Sequence, residues 1–245
     1  MNKIIIANWK MKLSVEESLR LASQINLGLK KMKDKNKVII CPDYISLPLI
    51  MFSLDKHYFS LGAQNCAYEL KAAATGEVSA SNLKEIGADY VILGHSERRL
   101  NQLESNETLN LKIKSALEAG LKIIFCLGEN LEQRKSGKAK VFILKQLRES
   151  LKNIKLKKGN EIIIAYEPIW AIGSGQAMTV DEVDKQASII KLESSKVLGQ
   201  NIKVLYGGSV DRENAQDILR QKNISGLLIG GASLKVEEFL AICSI

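Results

Sequence analysis

The stretch EIIIAYEPIWAIGSG, residues 161–175, decides the fold. Its first part, Glu161-Ile162-Ile163-Ile164-Ala165-Tyr166, is a short apolar run without the alternation of a half-exposed strand. Such a run reads as a strand buried on both faces, the kind found in parallel sheets sandwiched by helices. It ends on a carboxylate, Glu167, and the next residue is Pro168, one of only three prolines in the chain. Proline biases its predecessor toward extended geometry and removes one backbone donor, so Glu167 is a pinned charge at a strand end.

Working outward, the same unit repeats. Strands are predicted at Lys3–Ala7, Lys37–Cys41, Tyr58–Ala63, Tyr90–Leu93, Lys122–Leu127, Ile162–Tyr166, Lys203–Tyr206 and Gly226–Ile229. They recur about every 30 residues, the length of one βα unit. Between them lie amphipathic segments. Ser14-x-x-Glu17 and Thr179-x-x-Glu182 read as capping boxes at helix starts, and Gly87, Gly120 and Gly199 mark helix ends. No low-complexity tract divides the chain, so the reading is α/β: one (β/α)8 barrel of eight parallel strands spanning residues 1–245 as a single domain. A doubly wound open sheet would need a dinucleotide signal. The nearest match, Gly173 to Met178, lacks the third glycine.

Composition agrees with a globular domain. The 245 residues are 46% hydrophobic and 25% charged, enough for a large core under an ordinary surface. Cys41, Cys66, Cys126 and Cys243 are scattered without metal-ligand or CxxC spacing, which fits a reducing cytoplasm. No apolar stretch approaches a membrane span, and the N-terminus runs directly into a strand, so a cytoplasmic protein with no membrane partner is expected. The net charge of +8 is spread over many amphipathic segments with few aromatics beside it, which argues against a nucleic-acid partner.

In a barrel of this kind the active site lies at the C-terminal ends of the strands. The first strand ends Asn8-Trp9-Lys10, and alternation puts Asn8 and Lys10 on one side. The fourth ends Gly94-His95-Ser96-Glu97-Arg98-Arg99, placing His95 at the mouth with Ser96 as the expected helix cap. The other histidine, His57, precedes the third strand and falls at the opposite face. Tyr206-Gly207-Gly208-Ser209 and Ile229-Gly230-Gly231-Ala232-Ser233 end the last two strands, with Asp211 expected to open a helix. Paired glycines let backbone N–H groups approach an anion closely, which marks a phosphate site. The apolar, glycine-ended stretch after Glu167 suits a lid that excludes water. Carboxylate, imidazole, lysine and phosphate grip together suggest proton abstraction beside a carbonyl on a small phosphorylated substrate. That chemistry calls for no metal and no cofactor.

These motifs, with Gly62-Ala63-Gln64-Asn65, Thr75-Gly76-Glu77 and Cys126-Leu127-Gly128-Glu129, closely resemble the triosephosphate isomerase family from end to end. The resemblance implies a TIM barrel that interconverts dihydroxyacetone phosphate and D-glyceraldehyde 3-phosphate through an enediolate, a step of glycolysis and gluconeogenesis. It implies Glu167 as the base, His95 as a neutral electrophile and Lys10 as the substrate-binding cation that neutralises the substrate's charge. It implies Asn8 as a substrate-binding group that assists at the oxyanion, and Glu97 as a supporting catalytic-site residue. It implies phosphate held by Gly173, Ser209, Gly230 and Gly231. It further implies a lid of Pro168, Ile169, Trp170, Ala171, Ile172, Gly173, Ser174, Gly175, Gln176, Ala177 and Met178, latched by Tyr206 and Ser209. A homodimer is also implied, with the loop at Thr75, Gly76 and Glu77 entering a second copy beside Asn8 and His95, and Glu77 facing that copy's Arg98. The chain departs from the family pattern at Ser174 and Met178 in the lid, and at Lys12-Leu13 and Gln102-Leu103 near the expected dimer contacts. Another phosphosugar isomerase or epimerase on the same fold, or a phosphate-binding barrel without turnover, are the competing readings.

Overall fold

The computed structural model describes residues 2–33, 36–54, 58–171 and 178–245. Eight parallel strands form a closed barrel in sequence order. They are β1 (Ile4–Asn8), β2 (Lys37–Cys41), β3 (Ser60–Ala63), β4 (Tyr90–Leu93), β5 (Lys122–Leu127), β6 (Ile162–Tyr166), β7 (Lys203–Tyr206) and β8 (Gly226–Ile229). Pairing of Ile4 with both Lys37 and Gly226 shows β1 hydrogen-bonded on both sides, which closes the sheet. Two strands differ from expectation at their ends. β1 runs on to Asn8 because its ladder continues to Cys41, whereas β3 starts at Ser60, where pairing with Ile39 begins.

The helices between the strands are α1 (Val15–Lys31), α2 (Ser46–Ser53), α3 (Ala80–Glu85), α4 (Ser96–Asn101) and α5 (Asn106–Glu118) in the first half. The second half holds α6 (Leu131–Lys135), α7 (Ala139–Ser150), α8 (Val180–Leu198), α9 (Ala215–Leu219) and α10 (Val236–Cys243). Both expected capping boxes form, at Ser14 with Glu17 and at Thr179 with Glu182. Gly199 takes a left-handed φ of 68° to stop α8.

Strand alternation splits the core in two. Ile4, Ile6, Ile39, Cys41, Tyr90, Ile92, Ile124, Cys126, Ile163, Ala165, Leu205 and Leu228 fill the barrel interior. Their sequence neighbours, such as Ile5, Ala7, Val91, Ile123 and Ile164, pack outward in the cluster shared with the helices. Two residues beyond the last inward residue of a strand is therefore a position over the barrel mouth. Asn8, Gly128, Glu167, Gly207 and Gly230 are those positions on β1, β5, β6, β7 and β8.

Candidate active site

Asn8 follows Ile4 and Ile6 on the inward side of β1 and is 5% exposed. The chain then turns through Lys10, which has a left-handed φ of 55°. A non-glycine residue there costs about 1 kcal/mol or more and needs outside support. The support is polar: the Lys10 N–H donates to Asn8 Oδ1 at 3.1 Å, and Gln64 Nε2 donates to the Lys10 carbonyl at 2.8 Å. So constrained, Lys10 Nζ sits 2.6 Å from Glu97 Oε1. Burial pushes the Glu97 carboxyl up, but the Lys10 hydrogen bond and the charges of Lys10 and Lys12 oppose it, and Glu97 is held below its ordinary value.

Gly94 turns β4 into α4 with φ of 77°, a conformation glycine adopts without penalty. Arg99 fixes this turn by donating to the Gly94 carbonyl at 2.8 Å and the Cys126 carbonyl at 3.3 Å. His95, not Ser96, is the cap of α4: its Nδ1 accepts the backbone N–H of Glu97 at 3.2 Å. Imidazole seldom caps helices, so composition rules favour the serine. An accepting Nδ1 carries no proton, which assigns the neutral ring's proton to Nε2. Nε2 faces Glu167 Oε1 at 3.2 Å.

Glu167 extends the inward row Ile163, Ala165 and is 2% exposed. Its N–H donates to the Leu127 carbonyl at 2.8 Å, and its Oε2 accepts the Ser96 N–H at 3.1 Å. Glycines make room for it. A Cβ on Gly128 would lie 1.8 Å from the Glu167 carbonyl oxygen, and one on Gly207 would lie 3.0 Å from Glu167 Cγ. Beneath it, burial first and the Glu167 charge second hold the Cys126 thiol well above its ordinary value, so the thiol stays protonated.

Asn8, Lys10, His95 and Glu167 line one cavity of about 250 Å³, whose far end is built from Gly207, Gly208, Ser209, Gly230 and Gly231. Both glycine pairs thus share the cavity with the ionisable set. Tyr206 lies buried beneath Gly208, where an added Cβ would meet its hydroxyl oxygen at 2.2 Å. Asp211 does not open a helix. Its Oδ1 accepts the N–H groups of Glu213 and Asn214, and α9 starts only at Ala215. The side chain satisfies a turn that competes with the helix.

Of the expected lid, Pro168, Ile169, Trp170, Ala171 and Met178 are described, and Ile169–Ala171 form a 3₁₀ turn. Ile172, Gly173, Ser174, Gly175, Gln176 and Ala177 lie outside the described residues, as does His57. The start of the segment is tied to Glu129, a buried carboxylate to which sequence reading assigned no role. Glu129 accepts from Trp170 Nε1 at 3.0 Å and from the Tyr166 hydroxyl at 3.1 Å, while Arg134 stacks over the indole at 4.3 Å. At the other end, the Met178 sulfur lies 3.4 Å from the Tyr166 hydroxyl oxygen.

A second cavity, of about 360 Å³, shares Asn8, Lys10 and His95 with the first, adds Glu97, and is bounded on its outer side by Arg98, Met11 and Gln102. Arg98 Nε is 2.7 Å from Glu104 Oε1, and Glu104 also binds the buried Lys112. Thr75, Gly76 and Glu77 lie outside both cavities, on an exposed turn closed by the Glu77 N–H to the Ala74 carbonyl.

A closed parallel barrel with an imidazole, a carboxylate and a lysine converging at its mouth defines an acid–base enzyme of the (β/α)8 class. The sequence model of the family described as triosephosphate isomerase matches residues 3–245. The chain is 45% identical to the triosephosphate isomerase of Dehalococcoides mccartyi over 99% of this chain and 96% of the relative. It is 42% identical to that of Chlorobium phaeobacteroides, over 98% and 97%. The crystal structure of triosephosphate isomerase from Bartonella henselae superposes with a TM-score of 0.87 at 37% identity, covering 99% of this chain and 98% of that one. The chain belongs to the triosephosphate isomerase family.

Proposed function

We propose that this chain interconverts dihydroxyacetone phosphate and D-glyceraldehyde 3-phosphate, with Glu167 as the base and His95 as the neutral electrophile. The observation that carries the assignment is the Glu97 N–H to His95 Nδ1 bond, which leaves a proton on Nε2 beside the Glu167 carboxylate. Glu167 removes a proton from the carbon next to the substrate carbonyl while Nε2–H donates to the carbonyl oxygen. The resulting enediolate is stabilised by Lys10 and Asn8. Glu167 returns the proton to the neighbouring carbon, and the hydroxyl and carbonyl exchange places through His95. To do this the carboxylate must leave the Ser96 N–H it now accepts from. Glu97 holds Lys10 in place.

The phosphate rests on the N–H groups of Gly173, Ser209, Gly230 and Gly231. Closure of Pro168–Met178 excludes water, and Tyr206 and Ser209 hold the closed segment. The cavity in front of Arg98 receives the Thr75–Glu77 loop of a second copy, so the working form is a homodimer in the cytoplasm, each protomer a single barrel domain of residues 1–245. The charge complementarity of Glu77 with Arg98 supports that pairing. No helix among the described residues is long and apolar enough to cross a membrane.

Turnover of D-glyceraldehyde 3-phosphate by the purified protein, coupled to reduction of the product, tests the reading. Glu167→Gln should lose several orders of magnitude in turnover while still binding a substrate analogue. Near wild-type turnover in that variant would remove the base assignment.

A further inference from the structure

The glycine end of the cavity that holds His95 and Glu167 is lined by one more pair of charges, Lys235 and Glu238. A carboxylate at the end read as a phosphate site is anomalous, since like charges oppose binding of a dianion. Glu238 is not a distant surface group: its side chain is 18% exposed, whereas that of Lys235 is 76% exposed. Lys235 Nζ lies 3.2 Å from Glu238 Oε2. The backbone fixes both relative to the glycines. A 3₁₀ turn, Gly231–Leu234, joins β8 to α10, braced by Ser233 Oγ donating to the Gly230 carbonyl at 2.6 Å. The Lys235 carbonyl then accepts the N–H of the fully buried Phe239 at 2.9 Å, which anchors the first turn of α10.

Resting on the reading of that end as the phosphate site, we infer that Lys235 is a further binding cation for the substrate's phosphate and that Glu238 is its positioning residue. In this structure Lys235 lies against Glu238, and the pair is close to neutral. An arriving phosphate competes with the carboxylate for the ammonium, which has the exposure and the four-carbon stem to move toward the glycines. Glu238 therefore plays two opposed parts: it parks the lysine at the site, and it lowers phosphate affinity by holding on to it. Removing either charge should shift affinity in opposite directions. An ordinary i,i+3 surface pair would instead lose a few tenths of stability either way and leave affinity untouched.

Inorganic phosphate is the probe, measured by calorimetry and as a competitive inhibitor of the wild type, Lys235→Met, Lys235→Arg and Glu238→Gln. The expected result is about a three- to five-fold weaker Kd for phosphate in Lys235→Met, with KM raised alike and kcat unchanged. Lys235→Arg should recover most of the loss. Glu238→Gln should bind phosphate about two-fold more tightly, and kcat/KM of Lys235→Met should fall less steeply with added salt. Phosphate affinity equal in all four proteins, or shifted the same way in Lys235→Met and Glu238→Gln, overturns the assignment. Failure of phosphate to bind or compete in the wild type would instead remove the phosphate site itself, and the inference with it. The exposure of Lys235 keeps folding out of the comparison, and a thermal melt checks it.

Discussion

Gly128→Ala should cripple catalysis from a position that touches no substrate. The new Cβ would lie 1.8 Å from the Glu167 carbonyl oxygen and 2.6 Å from its carbonyl carbon. Relief needs a displacement of about 1.5 Å to restore ordinary contact distances. The clash is with backbone, so no rotamer change relieves it. The carbonyl cannot easily yield, because the Glu167 N–H is bound to Leu127, the Gly207 N–H is bound to Tyr166, and Pro168 follows at once. A base misplaced by 1 Å costs about 100-fold. We therefore expect kcat to fall by about two orders of magnitude or more. Overpacking of this kind costs about 1–3 kcal/mol, a lowering of Tm by about 2–12 °C in a domain of this size. Gly207→Ala is the control. Its Cβ would be tight only against Glu167 Cγ, at 3.0 Å, with Leu228 Cβ and the Tyr166 carbonyl oxygen at an ordinary 3.5 Å, and should cost less in both respects. Steady-state kinetics and a calorimetric melt of the two variants are sufficient. A Gly128→Ala enzyme within two-fold of wild-type kcat would show that Glu167 is not held by this contact.

Other outcomes are expected. Burial raises the Glu104 carboxyl, but its bonds to Lys112 and Arg98 prevail and hold it below its ordinary value of 4.5. A lowered folded pKa stabilises above the unfolded value and is lost as pH falls through the folded one. Glu104→Gln should thus cost about 3 kcal/mol at pH 7, with the Tm gap to wild type closing below pH 4.5; a gap constant down to pH 3 would contradict this. Gln64→Leu removes the donor that holds the left-handed Lys10 carbonyl and should raise KM and lower kcat together; unchanged kinetics would mean that Asn8 alone suffices. Under the dimer reading, Thr75→Arg should yield a monomer of low activity in sedimentation velocity, and a fully active monomer would refute it.

Much of the fold was legible because buried parallel strands are near-continuous Ile/Val/Leu runs, and Ile162–Tyr166 and Lys122–Leu127 were read to the residue. Strand ends slipped where ladder pairing, rather than composition, set the boundary, as at Asn8 and Ser60. Asn8, Lys10, His95 and Glu167 were legible because alternation and the strand-end rule place them together. Glu129, Gln64 and Arg99 were not, since their roles are hydrogen bonds across 41, 54 and 27 positions of sequence. Lys235 and Glu238 were missed for a plainer reason: an i,i+3 charge pair at a helix start is commonplace until a cavity is found beside it.

The cap on α4 has a genetic consequence. The group that keeps His95 Nδ1 unprotonated is a main-chain amide, so it survives nearly every substitution at position 97. Codon changes there can alter the carboxylate that meets Lys10 while leaving the imidazole tautomer intact. Proline alone deletes the N–H, and the first turn of a helix accepts proline without unwinding. The protonation state on which the chemistry turns is thus inherited through chain geometry, with a mutational robustness that a side-chain partner would not have.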